Sequence, residues 1–135
     1  MRWRSRKTTK LAKDAKLIRD MLIAACGECM ICGTSPKSPH RGKPPELSQL
    51  CCHEIANGPH RLKALDKPYA ILVLCWWCNG NEVEDKSKWP QARQLALLQR
   101  RSPHNYDLAA FNLLVNPRAP QRITQDEVDE YGESL

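Results

Sequence analysis

Long apolar runs are missing from this chain. No segment of its 135 residues approaches the ~20 consecutive apolar residues of a membrane-spanning helix. The N-terminus is basic but lacks the apolar stretch and small-residue cleavage site of a secretory signal. Aromatic residues are scarce, with a single Phe, while Pro occurs ten times. Such a composition predicts a modest core, which a bound metal would help to stabilise. An even cysteine count is also lacking. Seven cysteines cannot pair into a complete disulfide framework. Their arrangement in C-x-x-C pairs fits metal binding in a reducing, cytosolic compartment better.

What the chain does have is charge, unevenly spread. The net charge is +6. Residues 1–20 carry eight Lys or Arg against two Asp, whereas Asp126, Glu127, Asp129, Glu130 and Glu133 stand near the other end. A basic arm containing Arg2, Arg4, Arg6 and Lys7 suits a polyanion, most simply nucleic acid. The plainer reading is a solvated helix face that aids solubility. A second basic stretch holds His60, Arg61 and Lys63.

The organisation reads as three parts: a basic N-terminal arm and helix (1–25), a cysteine-rich unit (26–86) and a helical extension (87–135). Thr8 or Thr9 is positioned to cap a helix running to about Ala25. Leu11, Ala15, Ile18 and Leu22 form its apolar stripe, and Lys10, Lys13, Lys16 and Arg19 lie off that stripe. Strands are expected over Leu47–Ile55 and Tyr69–Leu74, with a short helix from about Cys78. Pro90 suits the first turn of a helix ending near Arg101. Another helix spans 102–114, opened by Ser102-Pro103 or Asn105. The last helix opens with the capping box Thr124/Glu127 and the Ile123/Val128 staple, and Gly132 is its stop.

Two pairs, Cys29-x-x-Cys32 and Cys75-x-x-Cys78, have the spacing of structural zinc sites, in which four thiolates close a tetrahedron. Cys26-x-x-Cys29 is a competing pair. Gly33 favours Cys29/Cys32, because a glycine after the second Cys permits the left-handed turn that aims backbone N–H groups at the sulfurs. Cys26 then becomes a helix-end thiol or a spare ligand. Cys51 and Cys52 point to opposite sides of a strand, and one of them packs as a small hydrophobe. Between the pairs lies Cys52-His53-Glu54-Ile55, and Asn79 directly follows Cys78. Taken alone, His53 reads as a satisfied strand histidine and Asn79 as a helix cap. Trp76 and Trp77 read as packing around the metal or as a base-stacking platform. Trp89 reads as core.

The combination Cys29-x-x-Cys32-Gly33, Cys52-His53-Glu54-Ile55, Leu74-Cys75-x-x-Cys78-Asn79 resembles the HNH (His-Me finger, ββα-metal) endonucleases, in particular the zinc-bearing branch similar to the phage recombination endonuclease VII. The resemblance covers roughly residues 26–86. It implies an α+β fold with a small zinc-stapled, treble-clef-like ββα-metal core, flanked by the basic N-terminal helix and C-terminal helices. It implies a structural Zn²⁺ on Cys29, Cys32, Cys75 and Cys78, a catalytic Mg²⁺ or Mn²⁺ held with His53 and Asn79, and catalytic roles for His53, Glu54 and Asn79. Two registers stay open. Aligned on Ile55, His53 is the metal ligand and Glu54 takes the place of the base. Slipped by one, His53 is the base and Cys52 takes the ligand place, where a soft sulfur suits Mg²⁺ poorly. The family's middle Asn falls on Ala70, with Asn57 as a stand-in. The expected function is hydrolysis of DNA phosphodiester bonds in a bacterial or phage-infected cytosol, with a homodimer favoured if both strands are cut. The alternatives are an inactive HNH-like module that grips nucleic acid, and a zinc-stapled protein adaptor using the helices of residues 87–131.

Overall fold

The computed structural model describes residues 6–118 and 122–135, with side chains from residue 10 onward. Helix α1 (Arg6–Cys26) opens the described chain. It begins before Thr8 and Thr9, so neither caps it; the Lys- and Arg-rich lead is itself made of good helix formers. Two strands follow, β1 (Leu50–Glu54) and β2 (Ile71–Cys75), paired antiparallel from Leu50↔Cys75 to Glu54↔Ile71. Both strands are shorter than the sequence suggests. Residues 45–48 coil into a 3₁₀ turn behind Pro44 and Pro45, and 68–70 form another with Pro68 near its start. Proline fixes φ and removes a ladder donor, so each strand starts only after its proline-led turn. Helix α2 (Arg61–Ala64) lies in the connection between them. Helix α3 (Trp76–Asn81) starts directly after β2, with the Cys75 sulfur accepting from the Cys78 N–H as its N-cap. The turn therefore begins two residues before the expected Cys78.

Helices α4 (Gln91–Arg101), α5 (Leu108–Val115) and α6 (Gln125–Gly132) complete the described chain. Pro90 is the N-cap of α4 rather than its first helical residue. The cap of α5 is Asp107, whose carboxylate accepts from Ala110 N–H at 3.0 Å. Ser102–Asn105 instead form a turn braced by Asn105 Nδ2 on Ser102 Oγ at 2.9 Å. Thr124 caps α6 through the Glu127 N–H, and Ile123 and Val128 are both buried beside it.

Every residue of β2 is buried, because α1 and α4 both pack on it. A strand covered on two faces reads as a continuous apolar run, and Ile71-Leu72-Val73-Leu74 is one. One hydrophobic core joins Cys29, Ile55, Leu72, Leu74, Leu95, Leu98, Phe111 and Val128. The helices after residue 87 therefore share a core with the hairpin. Ala15 brings α1 close, and the Arg19 guanidinium fastens it by donating to Cys52 O at 3.0 Å and Leu65 O at 3.4 Å. Arg19 thus turns inward rather than joining the exposed cationic side. Lys16 pairs with Asp20, and Leu17 and Met21 are exposed on the same helix. The result is a mixed α+β arrangement with a two-stranded sheet. Among the described residues no helix is long and apolar enough to cross a membrane.

Candidate metal centre and adjoining cleft

The end of the hairpin where Leu50 faces Cys75 carries the sulfurs. The thiol atoms of Cys29, Cys32, Cys75 and Cys78 all lie within 4.8 Å of one another. Four thiolates on one Zn²⁺ at ~2.3 Å would sit about 3.8 Å apart along a tetrahedral edge. The Cys32–Cys75 separation is 3.7 Å, so the set fits a structural metal such as zinc. Local backbone makes the cradle. Gly33 adopts φ +76°, and its N–H returns to Cys29 O at 2.9 Å, closing the first turn. The Met30 N–H bonds to Val73 O at 2.9 Å and holds that turn against β2. Cys29 is an unusually acidic thiol. Its pKa is pulled down to about 5 by the Cys78 thiol and, against the penalty of burial, by backbone hydrogen bonds at Cys32, Cys75 and Ile31. Cys78 is pushed up for the reciprocal reason. Thiolate is the ligand form, so Cys29 is poised as a ligand, whereas the protons held by Cys75 and Cys78 must leave as a metal enters.

Cys26 stays outside the cluster, its thiol donating to Glu28 O at 3.1 Å. Cys51 and Cys52 also stand apart. Burial pushes both thiols up to about 11, and they donate to Leu74 O and Arg19 O respectively. A residue that spacing alone did not mark sits over the cluster instead. His40 Nε2 lies 3.5 Å from both Cys32 Sγ and Cys75 Sγ, and its Nδ1 faces Thr34 Oγ1 at 3.4 Å. Trp77 packs edge-on to His40, with Lys43 Nζ 3.5 Å from the Trp77 ring centre. His40, Trp77 and Lys43 thus cover the sulfurs from the loop side. Trp76 is 47 % exposed, whereas Trp89 is core and donates Nε1–H to Glu82.

The far end of β1 opens into a cleft of about 390 Å³, lined among others by Arg19, His53, Glu54, Asn57, Arg61, Asn79 and Lys86. Helix α3 packs along β1, and this carries Asn79 from the sulfur end to His53. Asn79 lines the same cleft as His53, close enough to act on the charge state of the ring. The ring is 8 % exposed. Its pKa falls below 6.5 through burial first and the nearby Lys86 charge second, opposed by Gln94, Glu54 and Asn79. His53 is therefore neutral near pH 7, the state in which an imidazole can bind a metal or take a proton.

Glu54 occupies the same cleft in a different condition. Its side chain is 10 % exposed, with Oε1 3.3 Å from Arg19 and Oε2 3.7 Å from Arg61. These oxygens are shared between two guanidinium groups and tie α1 and α2 to β1. Neither register of the family motif is met intact: Glu54 in the base place is engaged in ion pairs, and Cys52 in the ligand place is a neutral thiol on Arg19 O. The place of the middle Asn holds Ala70, fully buried, and Asn57 reaches the cleft from the turn before α2.

Of the residues expected to meet nucleic acid, Arg61 lines the cleft; Lys63 is exposed and His60 half-buried, outside its lining. Arg2 and Arg4 lie outside the described residues, as do the side chains of Arg6 and Lys7, whose backbone begins α1. Sequence reasoning missed Lys86, Glu84 and Gln94. The first two sit in an unremarkable charged stretch. Gln94 follows Gln91 and Arg93 in the polar first turn of α4 and carried no signal of its own. A larger hollow of about 490 Å³ between α1 and β2 is walled mainly by apolar side chains such as Ile18, Met21, Leu22 and Val73. Polar convergence, not size, singles out the His53 cleft. Among the described residues the four cysteines are the only group of three or more His, Cys, Asp or Glu close enough to share an ion. The chain matches no protein-family model, no curated protein and no solved structure.

Proposed function

We propose that this chain is an HNH-type, metal-dependent endonuclease acting on DNA phosphodiester bonds, with a structural zinc on the four cysteines and a ββα-metal core formed by β1, β2 and α3. One observation carries the reading: a neutral, buried His53 and a half-buried Asn79 line one cleft whose rim bears Arg61 and Lys86, at the opposite end of the hairpin from a four-thiol cluster. The donors around His53 fit a hard cation only in part. Asn79 would offer such a cation a neutral oxygen. Mg²⁺ or Mn²⁺ held there would supply charge stabilisation to the attacked phosphate and the leaving oxygen. His53 takes the proton from the attacking water. Arg61, exposed and only loosely paired with Glu54, turns to a phosphate oxygen, while Arg19 keeps Glu54 in place. Lys86 adds positive charge to the same cleft.

The test is nicking of supercoiled plasmid by protein of measured zinc content, across Mg²⁺, Mn²⁺ and chelator. Expected is divalent-dependent nicking that falls by roughly 10²–10⁴-fold in His53→Ala, the range of a lost general base. Equal nicking by parent, His53→Ala and Asn79→Ala overturns the site assignment. A second reading, a nucleic-acid-binding module without catalysis, is favoured by the ion-paired Glu54 and the absence of a carboxylate cluster among the described residues. It predicts salt-sensitive binding with no cleavage under any metal.

A further inference from the structure

His53 Nε2 lies 3.0 Å from Gln94 Oε1, and Gln94 Nε2 lies 2.9 Å from Trp89 O. A backbone carbonyl only accepts, so the Gln94 atom facing Trp89 must be the amide nitrogen. The atom facing His53 is then the amide oxygen, which also only accepts. The proton of the neutral ring must therefore sit on Nε2, and Nδ1 keeps its lone pair. Gln94 is 1 % exposed, a rare burial for glutamine, and both of these amide contacts are used. Trp89, whose carbonyl orients the amide, is itself held by its indole N–H on Glu82 and by Arg93 stacked 3.9 Å over the ring.

We infer that Gln94 is a positioning residue: with Trp89 O it fixes His53 as the Nε2–H tautomer and leaves Nδ1 as the ring nitrogen with a free lone pair. Buried behind the ring, it acts through His53. The inference rests on the nuclease reading for its purpose, but not for its geometry. A histidine free to exchange tautomers would present a lone pair at Nδ1 part of the time and an N–H, which repels a cation and cannot take a proton, for the rest. The orienting group comes from α4, outside the stretch that carries the family resemblance, so the C-terminal helices complete the site as well as the core.

The experiment is long-range ¹H–¹⁵N correlation of the His53 ring at pH 7.5 in the zinc-loaded parent, Gln94→Met and Gln94→Glu, with plasmid nicking measured on the same samples. In the parent the Nε2–H tautomer is expected alone. Gln94→Met keeps the volume but loses the acceptor, so both tautomers should appear. Nicking should drop roughly 10–100-fold in kcat with KM unchanged, the usual cost of losing an outer partner of a functional histidine. Gln94→Glu retains an acceptor for Nε2–H and should restore the single tautomer and most of the rate. A parent ring protonated on Nδ1, or a Gln94→Met ring whose tautomer is unchanged, overturns the assignment. If the tautomer shifts as described while none of the three proteins nicks DNA, Gln94 keeps its role and the nuclease reading fails.

Discussion

The two ends of the β1–β2 hairpin are built on opposite plans. The sulfur end is chemically uniform and local: two C-x-x-C turns, one closed by Gly33 at positive φ, the other closed by Cys75 capping its own helix. The cleft end is mixed in charge and assembled from α1, β1, α2 and the turn before it, α3 and the loop before α4, with Arg19, His53, Arg61, Asn79 and Lys86 arriving from distant parts of the chain. Thiolates on a metal hold their geometry through coordinate bonds. The cleft holds its geometry through hydrogen bonds and ion pairs that depend on the packing behind them. The first should fail all at once, the second residue by residue.

The largest effect should come from the sulfur end. Structural zinc contributes on the order of 10 kcal/mol in small domains, comparable with a domain's whole stability. Cys78→Ser, or chelation of the parent, is expected to abolish cooperative thermal unfolding and to take the cleft with it, read by circular dichroism melts. A chelated chain that still melts cooperatively at the parent temperature would break the comparison.

At the cleft end, Arg19→Met should cost about 2–4 kcal/mol, because it leaves the buried Glu54 with only the looser Arg61 pair and takes a donor from two backbone carbonyls. Zinc stoichiometry should stay unchanged. Loss of zinc in that variant would mean that the ends are not separable. His40→Ala should speed chelator-driven zinc release by roughly 10–100-fold, since it removes the imidazole beside Cys32 and Cys75, with little change in DNA affinity.

Acid should act on the cleft through His53. Its folded pKa lies below the unfolded 6.5, so between these values the unfolded chain binds a proton that the native state refuses. Stability is then fully present above 6.5 and lost as pH falls through that window, with a slope of at most about 1.4 kcal/mol per pH unit. Denaturant titrations of parent and His53→Gln should show this slope in the parent alone. The smallest stability change is expected for Arg61→Ala. Its exposed pair at 3.7 Å is worth well under about 1 kcal/mol, yet the salt dependence of DNA binding should weaken by about one ion.

The same contrast explains what could be read from the sequence. The C-x-x-C spacing and Gly33 are enough to bring four sulfurs to one end of the hairpin, because both turns close within a few residues. The Thr124 cap and the all-apolar β2 were legible for the same reason. The starts of α3 and α5 were not. The first depends on a sulfur acting as a cap at Cys75, and the second on Asp107 winning over Ser102 and Asn105. Arg19 looked like a surface charge because helical periodicity cannot see the carbonyls of Cys52 and Leu65 waiting beneath it. His40 and Gln94 are 35 and 41 residues from the groups they serve, Cys75 and His53, and no local spacing encodes that distance.

The central claim is that the sulfur cluster shapes a second site in which His53 and Asn79 face one hydrated cation. It is tested most directly by Mn²⁺ titration of zinc-loaded protein, following paramagnetic broadening of the His53 ring and the Asn79 side-chain amide by NMR. The account predicts that these two signals broaden together and first, with the zinc still bound. Broadening that spares both, or that begins only as zinc is displaced from the sulfurs, would contradict it.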